Sequence, residues 1–197
     1  MSAPEFDTTK RIALTIKGRI DERLAASPRL LIAIDGRCAA GKTTLAAHLK
    51  KTYDANVIHM DQFFLQPEQR TEERLNEPGG NVDYERVLQE VLLPLKAGKA
   101  FSYRPYDCHT QTLTDPVWME PRAINIVEGS YSCHPALWIQ YGLRIFLTVD
   151  PETQLQRIRM RNGESGVVRF QEIWISLEER YFAAYRIAQR CELCFET

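Results

Sequence analysis

Short apolar runs alternate with amphipathic segments along this chain, and the alternation predicts an α/β fold. The runs typical of buried strands are 30–35, 56–60, 122–127, 143–149 and 191–195. Several of them are apolar throughout, which is typical of strands that are covered on both faces. Strands of this kind, separated by helical segments, indicate a mostly parallel sheet with helices on both sides.

Helical periodicity fills most of the segments between the strands. Apolar residues recur at every fourth position in 8–26, which predicts an amphipathic helix, and 43–51 is also typical of a helix. The segment 84–95 has apolar residues at i, i+3, i+4 and i+7, and Gly98 is expected to end that helix. The remaining predicted elements are a hairpin of 100–106 with 111–115, a short helix over 135–141, a helix from 151 to about 161 and a last helix over 170–190.

The glycine-rich segment 36–43, called the phosphate loop below, carries the most specific chemical signal. It fits G-x-x-x-x-G-K-[ST] between a predicted strand and a predicted helix, the setting in which this pattern binds phosphates. Backbone N–H groups there can point at a phosphate chain, and the glycines permit close approach. Lys42 can reach the β- and γ-phosphates, and the Thr43 hydroxyl can ligate Mg²⁺. The predicted nucleotide-binding residues are Gly36, Arg37, Cys38, Ala39, Ala40, Gly41, Lys42, Thr43 and Thr44.

Acidic residues directly follow two of the predicted strands. Asp61 comes after 56–60, where a carboxylate can accept a proton from a substrate hydroxyl. Glu128 comes after 122–127, where it can support Mg²⁺. Each has a structural alternative, because Asp61 can cap the following turn and Glu128 can act as a cap or an ion-pair partner. Asp83 stands at the start of a predicted helix, where capping is the simpler interpretation.

Four arginines flank the glycine-containing break at 163–166. Arg157, Arg159 and Arg161 precede it and Arg169 follows it. Arginines beside a flexible glycine segment can close over a nucleotide and neutralise charge that develops in phosphoryl transfer. A solvated basic face is the alternative for at least one of them.

Composition narrows the classes of partner. The formal net charge of −1 argues against generic electrostatic binding to nucleic acid or anionic lipid. No apolar stretch approaches the roughly 20 residues of a membrane span, and the first residues have no apolar signal core. Five cysteines, an odd number, favour reduced thiols. We therefore expect a cytoplasmic protein with neither a nucleic-acid nor a membrane partner, and a homo-oligomer is left open.

Taken in order, these residues resemble the uridine kinase–phosphoribulokinase group of P-loop kinases over about residues 30–190. The segment 59–64 (His-Met-Asp-Gln-Phe-Phe) resembles the D-x-F-[FY] segment of that group, whose aspartate is the catalytic base. The resemblance implies that role for Asp61. The segment 81–83 (Asn-Val-Asp) resembles the N-F-D segment, whose aspartate binds sugar hydroxyls, which implies a ribose-binding role for Asp83.

The acceptor side of the resemblance includes one departure. Arg-Pro-Tyr-Asp at 104–107 resembles the P-x-Y-D strand that borders the acceptor pocket, which implies a substrate-binding role for Tyr106. Uridine kinases have a histidine five positions after this tyrosine that helps to read the pyrimidine. Here Gln111 occupies that position and His109 comes earlier, so we expect Gln111 to contact the acceptor.

Two further segments complete the resemblance. Ile-Val-Glu-Gly at 126–129 resembles the V-E-G segment, whose glutamate assists Mg²⁺, which implies that Thr43 and Glu128 together hold the metal. The stretch 157–169 resembles the arginine-bearing lid, in which Arg161 and Arg169 are the best matches.

The resemblance implies a three-layer P-loop NTPase fold in a single domain over 1–197. It implies a lid at about 160–170 and an acceptor-side insertion at about 62–115 with a small β-hairpin. It also implies ATP and Mg²⁺ as cofactors, with catalytic roles for Lys42, Asp61, Arg161 and Arg169. The expected reaction is phosphoryl transfer to a primary hydroxyl of a small molecule, with the 5′-OH of a nucleoside as the first expectation. The alternatives are another acceptor (nicotinamide riboside, pantothenate or a sugar) and a regulatory NTPase without a small acceptor.

Overall fold

The structure, a computed structural model, describes the backbone of residues 3–197 and the side chains of residues 10–197. The described residues form nine strands: β1 (Leu30–Gly36), β2 (Asn56–His59), β3 (Phe101–Tyr103), β4 (Tyr106–Asp107), β5 (Thr112–Leu113), β6 (Val117–Met119), β7 (Ile124–Glu128), β8 (Leu143–Thr148) and β9 (Leu193–Glu196). Five of them make one parallel sheet in the order β2-β7-β1-β8-β9. The predicted α/β fold with a parallel sheet is confirmed, and its strands are the five that the apolar runs predicted.

The helices flank this sheet. The described residues form α1 (Ala3–Ala26), α2 (Lys42–Tyr53), α3 (Glu72–Asn76), α4 (Tyr84–Arg86), α5 (Leu93–Ala97), α6 (Pro151–Arg169), α7 (Ile175–Tyr185) and α8 (Ile187–Arg190). π-Helical turns at Val87–Leu92 join α4 to α5, and others at Phe170–Trp174 join α6 to α7. Short 3₁₀ turns lie at Met60–Phe63, Pro67–Gln69 and Trp138–Gln140. Among these described helices, none combines the length and apolarity that crossing a membrane requires.

Alternation along β1 separates two apolar layers. Ile32 and Ile34 pack in a layer with residues of α1 and α2, including the fully buried Ile16. Ala33 packs in the opposite layer, which contains residues of the helical segment 84–97 and of α7. Because both faces of the strand are covered, its sequence is continuously apolar from Leu30 to Ile34 rather than alternating.

The region predicted as one hairpin forms two separate strand pairs. β4 pairs with β5, as predicted, but β3 pairs with β6, which lies beyond the predicted second strand. Pro105 lies between β3 and β4 and has no N–H to donate, so the strand is interrupted there. The Arg104 guanidinium then donates to the carbonyl oxygens of Thr114 and Leu113, at 2.7 and 2.9 Å.

Three helical predictions differ from the structure in detail. Over 135–141 most backbone N–H groups bond carbonyls three residues back, so only Trp138–Gln140 is helical, as a 3₁₀ turn. The last long helix is interrupted after Tyr185 because Arg186 has a φ of 52°. The predicted break at 163–166 is a kink within α6, where Gly163 has a φ of 71° and a ψ of −178°.

Candidate functional site

The phosphate loop leaves β1 and leads directly into α2. Gly36 has a φ of 137°, and a Cβ there would collide with the backbone of Leu147 on β8. Gly41 has a φ of 81° immediately before α2. Both positions therefore need glycine, and the loop keeps the shape that places its last residues at the start of a helix.

Lys42 folds back across the phosphate loop. Its Nζ donates to the carbonyl oxygens of Gly36 and Arg37 at 2.6 and 2.8 Å and lies 3.2 Å from the Ser130 hydroxyl oxygen. The side chain is only 8% exposed. These contacts hold a nearly desolvated ammonium at the centre of the loop, where it can neutralise phosphate oxygens.

The other predicted loop residues divide between the cavity and the scaffold. Cys38, Ala39 and Thr44 line a cavity next to the loop. Ala40 is fully buried in the core. The Arg37 side chain does not line the cavity and instead reaches Glu179, Thr148 and Val149 on the outside of the loop.

Thr43 and Glu128 meet at the sheet edge although 85 residues separate them in the chain. The Thr43 hydroxyl donates to Glu128 Oε1 at 3.1 Å, and His59 Nδ1 lies 2.5 Å from the same oxygen. This hydrogen bond to Glu128 raises the pKa of His59, and burial opposes the rise. Glu128 is 4% exposed, so its charge is poorly screened by water.

This pair fits Mg²⁺ as the ion is held beside phosphates. Mg²⁺ usually takes one or two carboxylates together with substrate oxygens and several waters. Thr43 and Glu128 provide one hydroxyl and one carboxylate next to the phosphate loop. Across the part of the chain that the structure describes, no group of three or more His, Cys, Asp or Glu side chains is arranged to hold a metal. In the usual Mg²⁺–nucleotide arrangement, phosphate oxygens and water would complete the ligand set.

Asp61 faces the same cavity from the 3₁₀ turn after β2. Reduced hydration raises the pKa of Asp61, the charge of His59 opposes the rise and that of Glu128 adds to it. A carboxylate with a raised pKa is a better proton acceptor for a hydroxyl. Nearby, burial and the Asp61 charge raise the pKa of Tyr103 to about 12, so its hydroxyl stays protonated and donates to Gln62 Oε1 at 2.9 Å.

One cavity of about 740 Å³ joins these groups. Five of the predicted catalytic or metal-binding side chains line it: Lys42, Thr43, Asp61, Glu128 and Arg161. Part of its wall is apolar and aromatic, with Phe64, Val82 and Trp174 among the lining residues and the Phe64 and Trp174 rings 5.6 Å apart. The volume is within the range of small-molecule sites, which are mostly apolar with a few convergent polar groups.

The three predicted acceptor-binding residues do not line this cavity. Asp83 is 1% exposed, accepts from the Arg86 backbone N–H at 3.0 Å and accepts from Gln69 Nε2 at 2.7 Å. It therefore caps the helix that begins at Tyr84. The buried Tyr106 accepts from Arg70 at 2.7 Å through its hydroxyl. Gln111 is exposed in the turn between β4 and β5, with a φ of 55°.

The predicted lid arginines occupy different positions. Arg161 lines the cavity, and its guanidinium lies 5.5 Å from the centre of the Phe170 ring. Arg157 also lines the cavity and donates to the carbonyl oxygen of Ala39 in the phosphate loop at 3.2 Å. Arg169 is exposed and is not among the lining residues. The Gly163 kink lies between Arg161 and Arg169, so a change of its backbone angles would move one relative to the other.

Three further residues of the site were not predicted from the sequence. His59 contacts Glu128, Ser130 contacts Lys42, and Glu178 of α7 contacts the phosphate loop. Ser130 directly follows Glu128-Gly129 at a strand end, a position that could have indicated it. Glu178 lies within a helix far along the chain, and no local signal marks it.

No protein-family model and no curated protein sequence matches the chain. Similar solved structures include a possible uridine kinase from Bacillus stearothermophilus, with 22% identity, a TM-score of 0.64, and 92% of this chain and 99% of that chain covered. A candidate kinase of a fructose transport system from Silicibacter sp. TM1040 has 22% identity and a TM-score of 0.64, over 95% of this chain and 98% of that one.

YFH7 from Saccharomyces cerevisiae, described as a candidate P-loop kinase with a circular permutation, has 12% identity and a TM-score of 0.68. The match covers 96% of this chain and 99% of that chain. Similarity at these identities is evidence of a common fold. The chain therefore shares its fold with proteins that are described as kinases.

Proposed function

We propose that this protein transfers the γ-phosphoryl group of ATP to a primary hydroxyl of a small molecule, with the 5′-OH of a nucleoside as the first candidate acceptor. The observation that carries the proposal is that Lys42, Thr43 and Glu128 line the same cavity as Asp61. A phosphate-binding loop with a metal-binding pair on one side and a carboxylate with a raised pKa on the other fits phosphoryl transfer to an alcohol.

The residues divide the work of the reaction. Mg²⁺, when bound to the nucleotide, supplies charge neutralisation at the β- and γ-oxygens. Thr43 and Glu128 would hold that ion, and Lys42 would pair with the same phosphate oxygens. Asp61 would orient the acceptor hydroxyl and accept its proton as the oxygen attacks phosphorus. Positioning and electrostatic stabilisation account for most catalysis of this kind.

The arginines and the acceptor-side residues have less direct roles in the proposal. Arg161 would neutralise charge on the transferred group from within the cavity. Arg169 would reach the cavity after a change at Gly163. For Asp83, a ribose-binding role requires that the acceptor replace the Gln69 side chain that now donates to it. Tyr106 and Gln111 would contact the acceptor only if it extends beyond the cavity lining.

The apolar wall leaves the identity of the acceptor open. Phe64, Val82 and Trp174 can pack against the base of a nucleoside, but they can equally pack against the apolar part of another alcohol. Nicotinamide riboside, pantothenate or a sugar are therefore second candidates within the same reaction. A regulatory NTPase would instead need no acceptor next to Asp61.

An acceptor panel tests the proposal. Formation of ADP from ATP and Mg²⁺ would be measured with uridine, cytidine, nicotinamide riboside, pantothenate, ribose and fructose. We expect ADP formation that depends on one class of acceptor, and a phosphorylated acceptor in equal amount. The Lys42→Ala variant controls for contaminating kinases. Slow hydrolysis that no acceptor accelerates would favour the regulatory alternative.

A further inference from the structure

The carboxylate of Glu178 lies against the inner side of the phosphate loop. It is 5% exposed, its Oε2 accepts the Cys38 backbone N–H at 2.9 Å, and its Oε1 accepts the Ser130 hydroxyl at 2.6 Å. The same Ser130 oxygen is 3.2 Å from Nζ of Lys42. A carboxylate of the chain itself therefore accepts a hydrogen bond from one amide of the loop. The Ser130 hydroxyl links this carboxylate to the Lys42 ammonium, which is proposed to pair with phosphate.

The neighbouring residue Glu179 makes a different kind of contact. Its carboxylate accepts two hydrogen bonds from the Arg37 guanidinium, at 2.6 and 3.1 Å. Arg37 also donates to Thr148 Oγ1 and to the Val149 carbonyl oxygen, both at 3.3 Å. Consecutive carboxylates of α7 thus hold the loop from two sides. Glu178 lines the cavity and accepts from the Cys38 amide, whereas Glu179 accepts from the Arg37 side chain outside the cavity.

Glu178 adjoins the part of the cavity that a third phosphate would have to enter. The Thr43 hydroxyl marks the metal-binding side, and Lys42 is placed for the β- and γ-oxygens. Through Ser130, Glu178 adjoins Lys42, and it lines the cavity together with Asp61, the proposed proton acceptor. The group transferred to the acceptor has to lie between Lys42 and Asp61, so a γ-phosphate and the Glu178 carboxylate would compete for the same region.

We propose that Glu178 determines how the site discriminates between nucleoside triphosphates and diphosphates. Its carboxylate must leave the Cys38 amide, or meet a second anion at close range, before a γ-phosphate can settle in the loop. A diphosphate ends before this position and meets no such barrier. Repulsion between like charges is strong here because Glu178 is buried and poorly screened. The inference rests on the proposed function to the extent that the loop must bind a nucleotide.

The helix that carries Glu178 is also continuous with the predicted lid. Glu178 is in α7, and the π-helical turns at Phe170–Trp174 join α7 to the kinked helix α6. Any shift of α7 that accompanied release of the carboxylate would therefore be passed to α6, which carries Arg161.

Binding measurements test the inference without any turnover. Dissociation constants of ADP and of the non-hydrolysable triphosphate AMP-PNP would be measured by calorimetry at fixed Mg²⁺ for the wild type, Glu178→Gln and Glu179→Gln. Glu178→Gln keeps the size of the side chain and an oxygen that can accept from the Cys38 backbone N–H, but it removes the charge. We expect Glu178→Gln to bind AMP-PNP at least about 10-fold more tightly relative to ADP than the wild type does. The matched control Glu179→Gln should change both affinities by the same factor.

The outcomes separate this inference from the proposed function. If the wild type binds both nucleotides and Glu178→Gln leaves the ratio of the two dissociation constants unchanged, the inference is wrong and the proposed function stands. If the wild type binds neither nucleotide, both are overturned. Thermal melting checks that each variant is folded, and Glu178→Ala, which also removes the charge, should shift the ratio in the same direction if the glutamine variant does not fold.

Discussion

The Thr43 hydroxyl donates a hydrogen bond of 3.1 Å to Oε1 of Glu128. The first residue follows the lysine of the phosphate loop and the second ends β7, which is next to β1 in the parallel sheet. Because parallel neighbouring strands end at the same edge, a loop residue and a strand-end carboxylate come into contact there. A hydroxyl and a carboxylate so placed are the protein ligands that a Mg²⁺–nucleotide complex needs.

This pair predicts the magnesium dependence of nucleotide binding. Replacing Glu128 by Gln removes the carboxylate charge but keeps its shape. We expect the Mg²⁺ concentration for half-maximal AMP-PNP binding to rise by about 10- to 100-fold. Thr43→Ser, which keeps the hydroxyl, is the matched control and should remain close to the wild type. A Mg²⁺ titration followed by calorimetry gives both values, and an unchanged midpoint in Glu128→Gln would remove Glu128 from the metal site.

The hydrogen bonds of Asp35 predict that this residue stabilises the folded protein around the site. Its buried carboxylate accepts from the backbone N–H groups of Gly36, Tyr131 and Cys133 and from the Tyr181 hydroxyl, at 2.7 to 3.1 Å. Burial raises the pKa of Asp35 to about 6, and these hydrogen bonds oppose the rise.

Asp35→Asn would direct an amide NH₂ at groups that are themselves donors. We expect the free energy of unfolding to fall by about 2–4 kcal/mol at pH 8, measured by urea denaturation. Asp150→Asn is a suitable control because Asp150 is an exposed cap that accepts from Thr153 at 2.9 Å, and Asn caps helices as well as Asp does. A loss in Asp35→Asn no larger than in the control would contradict the assignment.

His134 predicts a pH dependence of stability. Burial lowers its pKa from 6.5 to about 4, and the charge of Arg74 contributes to the lowering. The folded protein therefore keeps this ring neutral between those two pH values, whereas the unfolded chain binds a proton there. Above about pH 6.5 the ring is neutral in both states, so it does not affect the free energy of unfolding. As the pH falls from 6.5 toward 4, proton uptake by the unfolded chain lowers the free energy of unfolding by up to about 3 kcal/mol.

The His134→Phe variant isolates this contribution. It retains an aromatic ring against Tyr84, whose centroid is 4.0 Å from that of His134. Urea denaturation of both proteins between pH 4 and pH 8 should give a difference in unfolding free energy that is constant above about pH 6.5 and shifts in favour of the variant below it. A difference that is the same at every pH would show that His134 titrates normally in the folded state.

The position of Trp174 in the cavity wall predicts that ligand binding changes the tryptophan fluorescence. Its ring lines the cavity next to Phe64, whereas Trp118 on β6 is 74% exposed. AMP-PNP with Mg²⁺ should change the tryptophan fluorescence of the wild type and of Trp118→Phe to a similar extent. The change should disappear in Trp174→Phe. If it persists there, ligand binding does not involve the wall that Trp174 forms.

The pattern of the sequence predicted the framework of the site well because that framework is local. Each of the five sheet strands lies largely within a mainly apolar run of the sequence, and Gly36 and Gly41 mark a loop that only glycines can form. Asp61 lies two residues after the end of β2 and Glu128 ends β7, so the parallel pairing of these strands brings both to one end of the sheet. The expectation that these two residues lie together needed only the strand ends and a parallel sheet.

The remaining features depend on contacts that sequence spacing does not encode. Glu178 reaches the phosphate loop only through the packing of α7, 140 residues along the chain from Cys38. The pairing of β3 with β6 depends on where the chain turns around Pro105, and the sequence pattern had predicted one hairpin there. Asp83 was expected both as a cap and as a ligand to the acceptor; the structure has the cap, and the second role remains a proposal.

The account depends most on the transfer of the γ-phosphoryl group of ATP to an acceptor whose hydroxyl Asp61 activates. A single-turnover experiment with ATP labelled in its γ-phosphate, first with uridine and then with the other members of the panel, follows that group directly. We expect the label in the phosphorylated acceptor, and in Asp61→Asn a transfer rate reduced by about 10²- to 10⁴-fold with AMP-PNP binding retained. Label that appears only as inorganic phosphate with every acceptor, or transfer by Asp61→Asn at the wild-type rate, would contradict the account.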